Sequence, residues 1–312
     1  MRRTALRETI GNSWKGMLRI FRKKQTNAPI SVEEVRRECM ENGISQKLIC
    51  AENLGKLYGR LNRFDFAPDF HLLKEILAPK PRGVPRRDYP VLAVMVETRE
   101  HPALVPIVLN MIETLAVPVQ LFHGPGNKAY IENSPLKALI ERGDIVLSAL
   151  KTDILNAKAY NTLLLAKEFW QQLVSRGKVL IFQTDSILCG NSDYTLESFM
   201  EFDYIGSKWK RQRPVGLLLD GGNGGLSLRD WGVSYECLRR FPAQLWPAAE
   251  DAYYAFHMDL IGAKVGRDTD CARFGTQDEF LTRSFGAHQI KRLSQKDREA
   301  FLQYCEQAKL LL

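Results

Sequence analysis

In the stretch VLIFQTDSILCGNS, residues 179–192, an apolar run ends on a single carboxylate, Asp185. A carboxylate placed directly after a buried strand can meet a polar ligand at the rim of the sheet, or it can cap the turn that follows. A second polar cluster, Glu97-Thr98-Arg99, closes another apolar run, YPVLAVMVETR. Downstream, DGGNGGLSLRD packs four glycines into the four positions flanking Asn223. Glycine at this density allows close approach of a backbone to a ligand or a positive φ, and a tight hairpin between two strands uses the same residues. No GK[ST] follows, so this is not a phosphate P-loop, and it is not a GxGxxG at a first βα turn. PAAEDAYYAFHMDLIG puts Glu250 and Asp251 at a helix start, where the macrodipole favours acids regardless of function. RSFGAHQI sets His288 among small and apolar neighbours, the surroundings of a hydrogen-bonded core histidine as well as of a ligand.

These residues must be held by an alternation of strands and helices. YPVLAVMVETR, PVQLFHG, IVLSAL and VLIFQTD read as buried strands. HPALVPIVLNMIETLAV, SPLKALIERGD and NAKAYNTLLLAKEFWQQLVSRG read as helices, the last a single long one ending at Gly177. FDYIGSKWK contains a further short strand. Strands apolar throughout and separated by helices predict an α/β fold, with a mostly parallel central sheet covered on both faces. In such sheets ligands bind beyond the carboxyl ends of the strands, which is where Glu97-Thr98-Arg99 and Gln183-Thr184-Asp185-Ser186 meet.

The order of the features carries more information than any one of them: a strand ending in Asp, a glycine-rich turn, an acidic helix start and a late His. It resembles the order in nucleotide-sugar-dependent glycosyltransferases of the GT-A fold. More closely, the chain resembles a glycosyltransferase-like family of unknown function. The stretches that carry this are VETREHPAL, FHGPGN, YNTLLLAKEFW, VLIFQTDSILC, FDYIGSKW, NGGLSLR, EDAYY, ARFGTQ and FGAHQ, in order across most of residues 91–290. The resemblance implies a GT-A-like fold and transfer of a sugar from a nucleotide-diphosphate donor to an acceptor hydroxyl, with inversion; the basic front third adds the expectation of a glycan or glycolipid acceptor held at a membrane. By position, it implies Asp185 and His288 as ligands of a divalent cation, Mn²⁺ or Mg²⁺, and Asp251 as the catalytic base. Glu97, Thr98 and Arg99, with Gln183 and Thr184, would line the nucleotide, and Asn223, Gly224 and Gly225 would border the sugar. The usual Asp-x-Asp is here Gln183-Thr184-Asp185, which supplies one acid where the pattern has two. A cation would therefore depend on donor oxygens and water to complete its shell.

Charge divides the chain. Residues 1–90 hold 19 Lys+Arg and 10 Asp+Glu, while residues 91–312 hold 25 and 26. The excess of +8 belongs to the front third, so bulk charge gives no support to nucleic-acid binding by the body. In MRRTALRETIGNSWKGMLRIFRKK, Leu6, Ile10, Trp14, Met17, Leu18 and Phe21 recur at helical spacing among basic residues. Residues 1–24 thus suit a helix lying on an anionic membrane surface, or one docked on the protein itself. SVEEVRRECMENG is a capping box closed by Gly43, and PKPRGVPRRDYP, residues 79–90, reads as a linker. The division expected is a basic helical region over residues 1–88 appended to a body over 89–312. No run approaches the ~20 apolar residues of a membrane span, and the N-terminal stretch lacks the apolar segment of a secretory signal. The six cysteines show no CxxC and no zinc spacing, so reduced, mostly buried thiols in a cytoplasmic protein are expected.

Overall fold

The computed structural model of the protein describes residues 28–79 and 87–312. The interfacial helix expected over residues 1–24 and most of the expected linker lie outside these residues.

The front segment opens with β1 (Ile30–Ser31) and helix α1 (Val32–Glu41). Its capping box forms: the Ser31 hydroxyl accepts from the Glu34 amide at 3.2 Å, and the Glu34 carboxylate accepts from the Ser31 amide at 2.7 Å. Val32, Val35 and Cys39 are buried with Leu217, Trp246 and Tyr253 in one cluster, so residues 30–77 share a core with the body. Arg36 donates to the Asp259 carbonyl at 2.5 Å, and the Tyr58 hydroxyl lies 2.8 Å from His257 Nε2.

The body supplies β2 (Val91–Val96), α2 (Leu104–Leu115), β3 (Val119–His123), α3 (Leu136–Arg142) and β4 (Ile145–Ala149). Then come α4 (Ala157–Leu164), α5 (Lys167–Gln172), β5 (Lys178–Phe182), β6 (Ser186–Leu188) and β7 (Tyr204–Ser207). A hairpin of β8 (Gln212–Arg213) and β9 (Leu217–Leu218) leads into β10 (Asn223–Asp230), followed by α6 (Trp231–Arg240) and α7 (Glu250–Leu260). The chain closes with α8 (Asp268–Phe274), β11 (Gly275–Thr276), β12 (Gly286–His288) and α9 (Gln295–Tyr304).

Six strands form the central sheet in the order β4-β3-β2-β5-β10-β7. Period-2 alternation sends Leu92, Val94 and Val96 of β2 into the core on one face and Val91, Ala93 and Met95 into the core on the other. The architecture is α/β with helices flanking the sheet, as expected, but the sheet is mixed where a mostly parallel one was expected. Strands β4, β3, β2 and β5 pair in parallel, whereas β10 is antiparallel to both β5 and β7. The reason is the connection: a helical crossover keeps successive strands parallel, but the β8–β9 hairpin between β7 and β10 simply reverses the chain.

Two further expectations are corrected. The single helix over 156–177 is broken after Leu164, where Ala166 takes an extended conformation (φ −96°, ψ 127°). The Leu164 carbonyl accepts instead from Trp170 Nε1, six residues on, at 2.9 Å and from the Tyr254 hydroxyl of α7 at 2.8 Å, so two buried aromatic donors stand where the helical ladder would continue. The cysteines are not all free, since Cys189 and Cys305 form a disulfide across 116 residues of sequence, a partnership that spacing does not reveal. Among the described residues no helix is long and apolar enough to cross a membrane.

Candidate functional site

Strands β2 and β5 end at the same edge of the sheet where antiparallel β10 begins. Glu97-Thr98-Arg99, Gln183-Thr184-Asp185 and Asn223-Gly224-Gly225 therefore share one rim. The register of a smaller sheet, β11-β12-β6, brings in His288, which lies opposite Ser186.

Asp185 sits in the turn between β5 and β6, but that turn is closed by Ser186. The Ser186 amide donates to the Gln183 carbonyl at 3.0 Å, and the Gln183 amide donates to the Ser186 hydroxyl at 3.1 Å. The Asp185 carboxylate is thus left for other work. Its Oδ1 is buried and lies 3.2 Å from His288 Nε2 without hydrogen-bond alignment. His288 Nδ1 lies 3.0 Å from Gln277 Oε1, and Nε2 lies 3.3 Å from Gln183 Oε1. With the amides so oriented, Nδ1 donates to Gln277, and Nε2 faces two acceptor oxygens. A proton on Nε2 or a cation between the three atoms reconciles them. Burial raises the Asp185 carboxyl, but the His288 ring beside it and bonding from Gln289 outweigh that, and the net effect holds it below the ordinary carboxylate value.

Asp185 and His288 alone make a direct contact of ion-pair length, and a divalent cation here would need further ligands from water or another molecule. Two ligands at about 2.1 Å in adjacent octahedral positions stand about 3.0 Å apart, close to the separation of Asp185 Oδ1 and His288 Nε2. The protein set is small, because among the described residues no group of three or more His, Cys, Asp or Glu side chains could hold an ion.

Asp251 lies across the rim in the first turn of α7. Its Oδ2 accepts from Asn223 Nδ2 at 3.1 Å and its Oδ1 from the Ala252 amide at 2.7 Å. The neighbouring Glu250 is committed elsewhere: it forms a two-pronged ion pair with fully buried Arg229, at 2.5 and 3.1 Å. The Tyr204 and Tyr254 rings lie 5.3 and 5.0 Å from that guanidinium.

Buried polar atoms without partners locate the site. Among the described residues six buried side-chain N or O atoms lack a hydrogen bond, and four of them, Asp185 Oδ1, Tyr160 Oη, Ser207 Oγ and Arg213 Nε, belong to this rim. Ser207 pairs in register with Asn223. Arg213 stacks its guanidinium 4.0 Å from the centre of the Trp209 ring. Burial pushes Arg213 down, against the opposing pull of Asp251 and Asp278. Burial and the nearby Glu250 carboxylate push the Tyr160 hydroxyl up. Buried polar groups are nearly always paired, so four at one place without a well-aligned protein partner make this rim the candidate site for a bound polar molecule or ordered water. Sequence reasoning missed Arg213 and Tyr160. The basic hairpin WKRQR was the one visible sign of the first, and the second lies on a helix with nothing to distinguish it.

The remaining candidates tie the rim together. The exposed Arg99 guanidinium donates to buried Glu97 at 2.9 and 2.7 Å. The Thr98 hydroxyl donates to the Asp153 carbonyl at 2.9 Å, and Asn127 Nδ2 donates to the Glu97 carbonyl at 2.8 Å. Thr184 is buried in the β5–β6 turn. Gly224 and Gly225, assigned to the border of a sugar, admit this chain's own side chains. A Cβ on Gly224 would strike Glu250 Oε1, and one on Gly225 would strike the His288 ring. Gly221 and Gly222 take φ of +99° and +82° where the hairpin enters β10. Two cavities, of about 490 and 810 Å³, lie elsewhere and contain none of these residues. The rim is the better candidate because the unpaired polar atoms converge there.

A family model described as "Protein of unknown function (DUF5672)" matches residues 145–288, from β4 through β12. The matched stretch includes Asp185, Arg213, Asp251 and His288 and excludes Glu97-Thr98-Arg99 and the front segment. No curated protein matches the chain.

Proposed function

We propose that the protein is a glycosyltransferase with a GT-A-like fold that moves a sugar from a nucleotide-diphosphate donor to the hydroxyl of a glycan or glycolipid acceptor, inverting the anomeric carbon. The observation that carries this reading is the convergence of unpartnered polar atoms on a rim holding a carboxylate–imidazole pair on one side and a separate carboxylate on the other.

Asp185 and His288, with Gln183 beside them, would hold a Mn²⁺ or Mg²⁺ ion, which when bound neutralises charge on the donor diphosphate. Arg213 supplies a cation on the opposite side, aimed by its stacking on Trp209 and left without a protein partner at Nε. Glu97, Thr98 and Arg99 form the wall on which the nucleotide rests. Asp251 is the base. Asn223 fixes one carboxylate oxygen and the Ala252 amide the other, so the group is oriented before an acceptor arrives. The acceptor oxygen bonds to the anomeric carbon as the carbon–phosphate-oxygen bond breaks; the hydroxyl proton passes to Asp251 and the electron pair leaves with the nucleotide diphosphate. Residues 1–24 would bring this rim to acceptors on an anionic membrane.

The test is calorimetric titration of the full chain with UDP-, GDP- and dTDP-sugars, and with CMP-sugars, which carry a monophosphate, as the control, with and without Mn²⁺. One nucleotide class should bind, more tightly with the metal, and Asp185→Asn should abolish the metal's contribution. If no donor binds, or if the metal has no effect and Asp185→Asn binds like the parent, the assignment of Asp185 and His288 fails.

A further inference from the structure

Two arginines act on the first turn of α7, and they are satisfied in opposite ways. Arg229 is fully buried and meets Glu250 with both prongs, at 2.5 and 3.1 Å. Arg213, on β8, forms no ion pair and no side-chain hydrogen bond among the described residues, and its Nε is buried without a partner. The hairpin that carries Arg213 is held from several sides. Leu217 of β9 pairs with Arg213 on one side and with Ile30 of β1 on the other. The Asn62 amide donates to the Val215 carbonyl at 3.0 Å, and Asn62 Nδ2 donates to the Pro214 carbonyl at 2.8 Å. Trp209, itself buried, stacks on the guanidinium at 4.0 Å and donates through Nε1 to the Leu219 carbonyl at 3.2 Å. The front segment and the Trp209 ring thus fix the planar group before any ligand arrives.

The carboxylates that act most on Arg213 are Asp251 and Asp278, and both are engaged elsewhere. Asp278 pairs with Arg292 at 2.9 Å, while Asp251 is held by Asn223 at 3.1 Å and by the Ala252 amide at 2.7 Å. Their pull does not offset the burial of the guanidinium, which remains protonated all the same. A charge so placed calls for a counter-ion or ordered water from outside the chain.

The guanidinium also states what it would hold. Its planar fork matches the oxygens of a carboxylate or a phosphate. A cation at Asp185 would serve the donor diphosphate, whereas Arg213 stands by Asp251, the group that meets the acceptor hydroxyl. An anionic acceptor brought to Asp251 would be repelled by that carboxylate, and a fixed cation beside it makes the approach favourable. A neutral acceptor leaves the guanidinium unused.

We infer that Arg213 binds an anionic group of the acceptor, a carboxylate or a phosphate carried by the glycan, and so sets the hydroxyl of an acidic acceptor against Asp251. The inference rests on the transferase reading for the role of the ligand and on Arg213 alone for the binding of the anion. The full chain is incubated on an array of neutral, uronic-acid-bearing and phosphate-bearing oligosaccharides, and is titrated in parallel with nucleotide sugars. One acidic class should be retained in preference to neutral glycans, and which one tells carboxylate from phosphate. Arg213→Gln should weaken that retention about tenfold, and Arg213→Lys should recover part of it, because it restores the charge without the fork. Arg213→Gln should keep the calorimetric response to nucleotide sugars, and its melting temperature should not fall, because no ion pair within the chain is lost. Retention of neutral glycans only, of none, or equally by parent and Arg213→Gln overturns the inference. A nucleotide-sugar response lost in Arg213→Gln assigns the guanidinium to the donor and overturns it as well. Acidic-glycan retention lost in Arg213→Gln, in a protein that binds no nucleotide sugar, upholds the anion site and sinks the transferase reading.

Discussion

Glu250 and Asp251 are consecutive in sequence, both are buried, and both sit in the first turn of α7, yet they live in opposite electrostatic circumstances. Glu250 faces Arg229 with both carboxylate oxygens engaged, and Ser227 and two tyrosine rings complete the guanidinium's surroundings. Asp251 is held by Asn223 and its own helix, on a rim where Arg213, Tyr160, Ser207 and Asp185 carry atoms without partners. The closed region has the character of a structural element, since every strong group in it is satisfied inside the chain. The open region leaves capacity unused at a cost to stability, which is expected where a ligand completes the set.

That contrast can be broken from either side. The largest effect should come from Glu250→Gln, which leaves Arg229 charged and buried without its counter-ion. A loss of about 3–5 kcal/mol in urea denaturation is expected, and a change below about 1 kcal/mol would show that the pair is not structural. Asp251→Asn should do the reverse, lowering turnover about 10²- to 10⁴-fold while stability and donor binding stay as in the parent. Equal loss of donor affinity in Asp251→Asn and Asp185→Asn would remove the distinction between base and cation ligand. Gly225→Ala should push into the His288 ring, with a cost of about 1–3 kcal/mol and a weaker metal-dependent donor response. If both measurements match the parent, the close packing of β10 on His288 has no functional weight.

The remaining effect concerns pH and lies outside the rim. Burial lowers the pKa of His257 to about 3; its Nδ1 donates to the Tyr253 carbonyl and its Nε2 accepts from Tyr58. The unfolded chain takes up this proton near pH 6.5 and the folded chain does not, so stability is intact above about pH 6.5 and falls as pH drops toward about 3. Each unit within that window costs about 1.4 kcal/mol. Denaturation midpoints of His257→Gln should fall less steeply between pH 6.5 and 4 than those of the parent, and identical slopes would assign the acid sensitivity to other groups.

Much of this was legible in the residues. Apolar runs announced β2 through β5, Ser31 and Glu34 announced the start of α1, and the polar residue after VLIFQT announced a position at the rim. Each is a local fact, a matter of period, cap or strand end. The break in the helix after Leu164 was not legible, because one of the two donors that take its carbonyl, Tyr254, comes from a helix far along the chain. Arg213 could not be singled out because its distinction is the partner it lacks.

The sequence by itself determined the strands β2 to β5 and the start of α1, and that several acids and one imidazole stand near the ends of such elements. Only the tertiary structure decided which of these meet. The antiparallel return of β10 places Asn223 against Asp251, and the β12–β6 register places His288 beside Asp185. The physical reason is that period and capping act over a few residues, while strand order, register and burial are set by contacts between segments far apart in the chain. Those same contacts determine which charges are satisfied and which are left open.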